Sequence, residues 1–269
     1  MSWVGGKKGM REEISNRFPS DFNTYVEVFG GAGWVLFFKN PMNHKEVFND
    51  LNFNVVNLYQ CVRNEEKDLI KALEFTLNAR EDFKEIRKIF RSPEKVSSLD
   101  HITQAAYFYQ LIKHSFASKC TSFRCQPHDI WRDFPQIRLA HERHRNVIIE
   151  NQDFETLIQH YDSEHSFFYC DPPYYGAEKY YKDIIFSNEG HIRLFHQLEN
   201  IKGKFLLSYN DYPQIRELYQ ADRFCKVSIK RVNKMNHWQN ADTMYDELLI
   251  ANYDMNSHNM CNQLSMFTK

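Results

Sequence analysis

The chain predicts a doubly wound, mostly parallel α/β sheet interrupted by one mainly helical insertion. Three observations carry that expectation. Short β-rich runs recur at residues 25–29, 47–48, 147–149, 167–170, 205–207, 227–229 and 248–250, amphipathic stretches separate them, and the alternation breaks between Arg63 and Arg145. Strand–helix alternation is the pattern of a sheet with helices on both faces. The break holds a charged helical stretch over 65–90, then Ser92-Pro93, a helix near 103–113, and a loop-like segment over 115–134 rich in Ser, Cys and His. A loop of that length is uncommon unless it has a task. Residues 1–62 and 146–269 therefore read as one domain, and 63–145 as an insertion carrying a small helical subdomain.

Composition sets outer bounds. The 269 residues are 42% hydrophobic and 15% aromatic, which allows one sizeable core plus a subdomain. A net charge of -1 gives no global nucleic-acid signature, so any basic surface is local. Cys61, Cys120, Cys125, Cys170, Cys225 and Cys261 form no disulfide framework, and Met1-Ser2-Trp3 opens no signal peptide. The expected compartment is a reducing cytoplasm. No apolar run nears the roughly 18 residues that a membrane span needs.

The most informative element is Asp171-Pro172-Pro173-Tyr174, which follows the apolar run Phe167-Phe168-Tyr169-Cys170. It reads either as a Pro-Pro turn closing a strand or as a device for holding a planar amine. The amine of adenine is a poor nucleophile because its lone pair is delocalised into the ring. Two acceptors held close together make it more tetrahedral. The Asp171 carboxylate and the Pro172 carbonyl can each take one amine hydrogen, with proline rigidity fixing their separation, and Tyr174 offers a face for stacking. An amine inside a duplex is out of reach of such a site, so the nucleotide would be flipped out. The element therefore asks for a nucleic-acid substrate and a methyl donor.

Other elements supply candidates for the donor. Glu27-Val28-Phe29-Gly30-Gly31-Ala32-Gly33 lies at a strand-to-helix turn, where glycines serve either close ligand approach or tight helix–sheet packing. Leu36 stands where the dinucleotide fingerprint wants another glycine, so a pyrophosphate ligand is not expected. Asn49-Asp50 ends the second strand, where Asp50 either accepts ribose hydroxyls or caps a helix. In Asn151-Gln152-Asp153-Phe154, Asp153 bonds an adenine amine or caps a helix, and Phe154 covers a ring. Trp3-Val4-Gly5-Gly6-Lys7 places Lys7 where it can meet a carboxylate such as that of a methionine moiety.

In order and identity these elements, with Leu207-Ser208-Tyr209-Asn210-Asp211 and Glu247-Leu248-Leu249-Ile250, resemble the Dam-like, alpha-class DNA adenine-N6 methyltransferases, over most of the chain. The resemblance implies a Rossmann-like methyltransferase sheet with an antiparallel last strand over 247–252, S-adenosyl-L-methionine as cofactor, and double-stranded DNA as partner. It implies Trp3, Lys7, Glu27, Phe29, Gly30, Gly31, Gly33, Asp50, Asp153, Phe154 and Asp171 as cofactor-site positions, with Asp171, Pro172 and Tyr174 catalytic. A cognate restriction endonuclease and a monomeric or weakly dimeric state are further expectations. An RNA adenine methyltransferase, a cytosine-N4 methyltransferase and a non-catalytic DNA-binding subunit are the alternatives.

The insertion would then be the target-recognition region. Its Ser118-Lys119-Cys120-Thr121-Ser122-Phe123-Arg124-Cys125 departs from the Arg-, Asn-, Phe- and Gly-rich loop of relatives that methylate GATC. Lys113 to Arg145 contains seven Lys/Arg and three Asp/Glu, interleaved with Phe116, Phe123, Trp131 and Phe134. That mixture suits phosphate contacts and stacking, with Lys113, Lys119, Arg124, Arg132 and Arg138 as DNA-binding candidates. A second basic run holds Lys226, Lys230, Arg231 and Lys234, and the polar segment 233–242 after it is expected to close over DNA. Cys120, Cys125 and His128 have a loose zinc-like spacing, but no metal is expected.

Overall fold

Successive residues of a strand face opposite sides, so a sheet covered by helices on both faces needs apolar residues at every position. Five of the seven runs have that character, Glu27 and Ser228 interrupting the other two, and all seven contribute strands in the computed structural model, which describes residues 6–41, 44–176, 186–232 and 244–255. They are β1 (Thr24–Glu27), β2 (Lys45–Asn49), β3 (Val147–Glu150), β4 (Ser166–Cys170), β5 (Lys204–Asn210), β6 (Cys225–Val232) and β7 (Met244–Ala251). The order is β3-β2-β1-β4-β5-β7-β6. The first five are parallel, and β7 runs antiparallel between β5 and β6.

The alternation along β4 shows how the layers are divided. Phe167 and Tyr169 join one core with α3 (Phe53–Asn64), α7 (His101–His114) and α8 (Phe134–His144). Phe168 and Cys170 join the other, with α9 (Phe154–Tyr161), α10 (Asn188–Glu199) and α11 (Pro213–Leu218). Two short helices, α1 (Arg11–Ser15) and α2 (Trp34–Phe38), complete the first layer.

The insertion departs from expectation in two respects. The stretch over 65–90 is not one helix but α4 (Glu66–Leu73) and α5 (Arg80–Ile89), followed by α6 (Pro93–Ser97). The break is held by a tertiary contact: Asn78 Nδ2 donates to the His128 carbonyl at 3.0 Å, and the His128 N–H donates to Asn78 Oδ1 at 2.9 Å. Nor does the insertion stand apart as a subdomain. Leu69, Ile70 and Leu73 of α4, Ala105 and Ile112 of α7, and Ile137 of α8 lie in the same core as Phe48 and Phe167 of the sheet. Only Phe83, Ile86 and Leu111 form a satellite cluster of its own.

A buried ion cluster ties the last helix of the insertion to β2. Arg143 of α8 forks onto Glu46, with Nη1 to Oε2 at 2.5 Å and Nη2 to Oε1 at 2.8 Å, and Nη2 also donates to the Leu36 carbonyl at 2.9 Å. Lys39 donates to the same carboxylate. Burial raises the Glu46 carboxyl, but Arg143 and Lys39 outweigh it and hold the group below the usual carboxylate range.

Candidate active site

Parallel strands of a doubly wound sheet present their carboxyl ends to a crevice where the order reverses, here between β1 and β4. Asp171 to Tyr174 follow β4 directly, the glycine-rich turn follows β1, and Asp50 follows β2. They open into one cleft of about 1490 Å³ whose wall includes Lys7, Glu27, Phe29, Gly30, Gly31, Asp50, Asp153, Phe154 and Asp171. Residues that are distant in sequence are thus brought together, whereas Gly33, Pro172 and Tyr174 are not part of that wall.

The glycines have separate reasons. A Cβ on Gly30 would lie 2.3 Å from the Phe48 ring, so this glycine answers to packing. Gly31 and Gly33 take φ of 50° and 62°, where L side chains are disfavoured. The Gly31 N–H donates to Asp50 Oδ2 at 2.8 Å, and the Asn52 N–H to Asp50 Oδ1 at 2.8 Å. Burial nevertheless pushes the Asp50 carboxyl up to about 6. The cap of α3 is Asn52, not Asp50. Glu27 accepts from Tyr25 Oη and from the Leu36 N–H, both at 2.8 Å, and burial pushes it up to about 8 against those bonds.

Asp153 does cap α9, accepting from the Glu155 N–H at 3.0 Å, while Arg193 pairs with it at 3.1 Å and lies over the Phe154 ring. Phe154 forms a three-ring cluster with Phe29 and Phe186, with centroids 5.7–5.8 Å apart. Phe186 sits in no motif and could not be chosen from sequence.

Lys7 is placed differently from the sequence expectation. Its ammonium is buried and meets a protein carboxylate, with Nζ 2.5 Å from Asp171 Oδ1, 3.2 Å from Glu247 Oε1 and 2.5 Å from Tyr174 Oη. Desolvation pulls its pKa down, but the charges of Asp171 and Glu247 prevail and raise it well above the ordinary lysine value. Tyr174 Oη donates in turn to Glu247. Pro172 and Pro173 are buried, and Asp171 keeps part of its side chain accessible to the cleft.

The 115–134 segment folds back on itself. Ser115 bridges to Phe123, the Arg124 N–H donates to the His114 carbonyl at 2.7 Å, and Arg87 donates to the Thr121 carbonyl at 2.5 Å. Ser118 and Cys120 hold positive φ on either side of Lys119, and residues 118–121 join the wall of the cleft. Of the basic candidates, Arg124, Arg132 and Lys230 are exposed. Arg138 is also largely exposed but pairs with Glu66 at 3.3 Å. Lys113 is turned inward onto Asp133 at 3.0 Å, which takes it out of the accessible basic face. Arg231 lies on β6, while Trp3, Lys234 and the segment 233–242 lie outside the described residues. Among the described residues, the three metal-ligand types that converge are Cys61, Glu65 and His101; Cys120, Cys125 and His128 form no such group.

A parallel sheet with one antiparallel strand beside its edge, and a carboxylate–Pro–Pro–aromatic turn at the switch point, define a methyltransferase acting on an amine. The family model for the D12 class N6 adenine-specific DNA methyltransferases matches residues 3–237, and the chain belongs to that family. It is 25% identical to the type II methyltransferase M.CviBI of Paramecium bursaria Chlorella virus NC1A, over 94% of this chain and 98% of that protein. It is 26% identical to the type II methyltransferase M1.LlaDCHI of Lactococcus lactis subsp. cremoris, over 93% and 94%. To the DNA adenine methylase of Haemophilus influenzae it is 24% identical, over 88% and 87%. The protein is therefore a site-specific DNA methyltransferase that places a donor's methyl group on adenine N6, which separates it from the RNA and cytosine-N4 alternatives. No helix among the described residues is long and apolar enough to cross a membrane.

Proposed function

We propose that the donor is S-adenosyl-L-methionine, that Asp171, Pro172 and Tyr174 receive the flipped adenine, and that residues 63–145 choose which adenine enters. The observation that carries this reading is that one cleft is walled both by Asp171 and by residues 118–121 of the insertion. Recognition and chemistry share a space.

The residues present fit the donor. An ionised carboxylate has about four acceptor positions, and Asp50 spends two on backbone N–H groups, leaving capacity for two ribose hydroxyls. The rings of Phe29, Phe154 and Phe186 beside it offer an apolar slot for a purine. When bound, the donor supplies an electrophilic methyl on a sulfonium. The chain orients the amine: Asp171 accepts one N6 hydrogen and the Pro172 carbonyl the other, and the Tyr174 ring stacks the base. Catalysis is then mainly positioning and charge placement. Exposed Arg124, Arg132 and Lys230 are assigned to phosphate or base-edge contacts, and a cognate restriction endonuclease fits a type II modification role.

Incubation with tritiated S-adenosylmethionine is expected to label adenine in DNA and to leave RNA unlabelled. Label in RNA alone would overturn the reading. Asp50 adds a pH dependence with a definite sign. Its ionised form is the ribose acceptor, so donor KM should stay flat above about pH 6 and rise as pH falls through it. Asp50→Asn should raise donor KM by about tenfold or more, the loss of a charged hydrogen bond, and remove that dependence. A donor KM insensitive to both changes would place the ribose elsewhere.

A further inference from the structure

We propose that Glu247 is a positioning residue for methyl transfer: it holds the Lys7 ammonium and the Tyr174 hydroxyl in place beside Asp171, the carboxylate assigned to the adenine amine. The proposal rests on the assignment of Asp171 as the amine-holding carboxylate. Glu247 stands on β7, opposite Asn210, and is followed by Leu248, Leu249 and Ile250, all fully buried. It is itself only 3% exposed. A carboxylate in such a strand has a desolvation cost that an apolar residue would avoid, so its charge needs a purpose.

The contacts give that purpose. Glu247 Oε1 receives Ser208 Oγ at 2.5 Å, the Tyr174 hydroxyl, and Lys7 Nζ at 3.2 Å. Lys7 thus faces two carboxylates. Its Nζ lies 2.5 Å from Asp171 Oδ1 and 3.2 Å from Glu247 Oε1, so the ammonium is held between the two carboxylates and its place beside Asp171 depends on both. Glu247 also fixes the edge of the Tyr174 ring through the hydroxyl, with the Lys7 ammonium 4.6 Å from the ring centroid. These groups come from the N-terminal segment, the β4 turn, β5 and β7, and nothing in their sequence spacing pairs them.

The test compares Glu247→Gln, Ser208→Ala and Asp171→Ala in the full chain, with tritiated S-adenosylmethionine and adenine-unmethylated bacterial genomic DNA. Glu247→Gln keeps the shape and an acceptor oxygen but removes the charge. Its kcat should fall roughly 10- to 100-fold with donor KM within about twofold of wild type. A residue with a purely structural role would change stability and leave the kcat of the folded protein at the wild-type value. A folded Glu247→Gln protein with wild-type kcat would overturn the proposal. Should that variant fail to fold, Ser208→Ala decides: a several-fold lower kcat at unchanged donor KM supports the proposal, and wild-type kcat overturns it. Full turnover by Asp171→Ala would instead remove the amine-holding assignment, and this proposal with it.

Discussion

Asp171→Ala is expected to lower methyl transfer to DNA by about a thousandfold while leaving the protein folded. The size follows from the role. Removal of one preorganised group aimed at the reacting centre costs on the order of a hundred- to a thousandfold, and this carboxylate also fixes the orientation of the nucleophile. Retention of the fold follows from the surroundings. Deleting the carboxylate would ordinarily strand a buried ammonium, which is severe. Lys7, however, still has Glu247 at 3.2 Å, so its charge stays compensated. Single-turnover kinetics with DNA, together with a thermal melt, separates the two effects. Full turnover, or loss of turnover only through unfolding, would contradict the assignment.

Arg143→Met is expected to destabilise the protein by about 3–5 kcal/mol, the range for breaking a buried ion pair by removing one partner. Both charged ends are interior, and the fork also satisfies the Leu36 carbonyl. Arg143→Lys should be nearly as damaging, because an ammonium cannot make the two parallel bonds. Urea denaturation at pH 7 checks this. The wild-type contribution also has a pH signature. Because the Glu46 carboxyl lies below its ordinary value of 4.5, the pair's stabilisation is fully present above about that pH and is lost as pH falls through the depressed value. The stability gap between wild type and Arg143→Met should therefore narrow in acid. A variant as stable as wild type at neutral pH would show that the fork is not needed.

The sheet was legible in the sequence because doubly covered strands must be apolar at successive positions, and runs such as Phe167-Phe168-Tyr169-Cys170 have no other comfortable place. Boundaries were less so. β5 extends to Asn210 and β7 begins at Met244, since ladder bonds continue into residues whose side chains are not diagnostic. The split between α4 and α5 was hidden because Asn78 finds its partner, His128, 50 residues away. In the site, local motifs marked Asp50, Asp153 and Asp171, each beside the end of its own strand. What could not be read was the pairing between motifs: that Lys7 would face Asp171, that Glu247 would reach the same oxygen network, and that Phe186 would close the aromatic cluster. Charge counting was blind to direction as well. Lys113 and Arg143 contributed to the basic count of the insertion, yet both point inward.

The helices of the insertion have no wall between themselves and the sheet: Leu69, Ala105 and Ile137 complete the same interior as Phe48 and Phe167. If the insertion selects the target as proposed, such a protein is poorly suited to acquiring a new one by exchange of the whole insertion with a relative's, because each graft would have to refit the packing under the sheet. Diversification has a narrower route. On the proposed assignment it would run through residues 118–121, which line the cleft on a loop whose backbone is held by its own hydrogen bonds, so that new specificities would arise by drift at a handful of side chains rather than by trading modules.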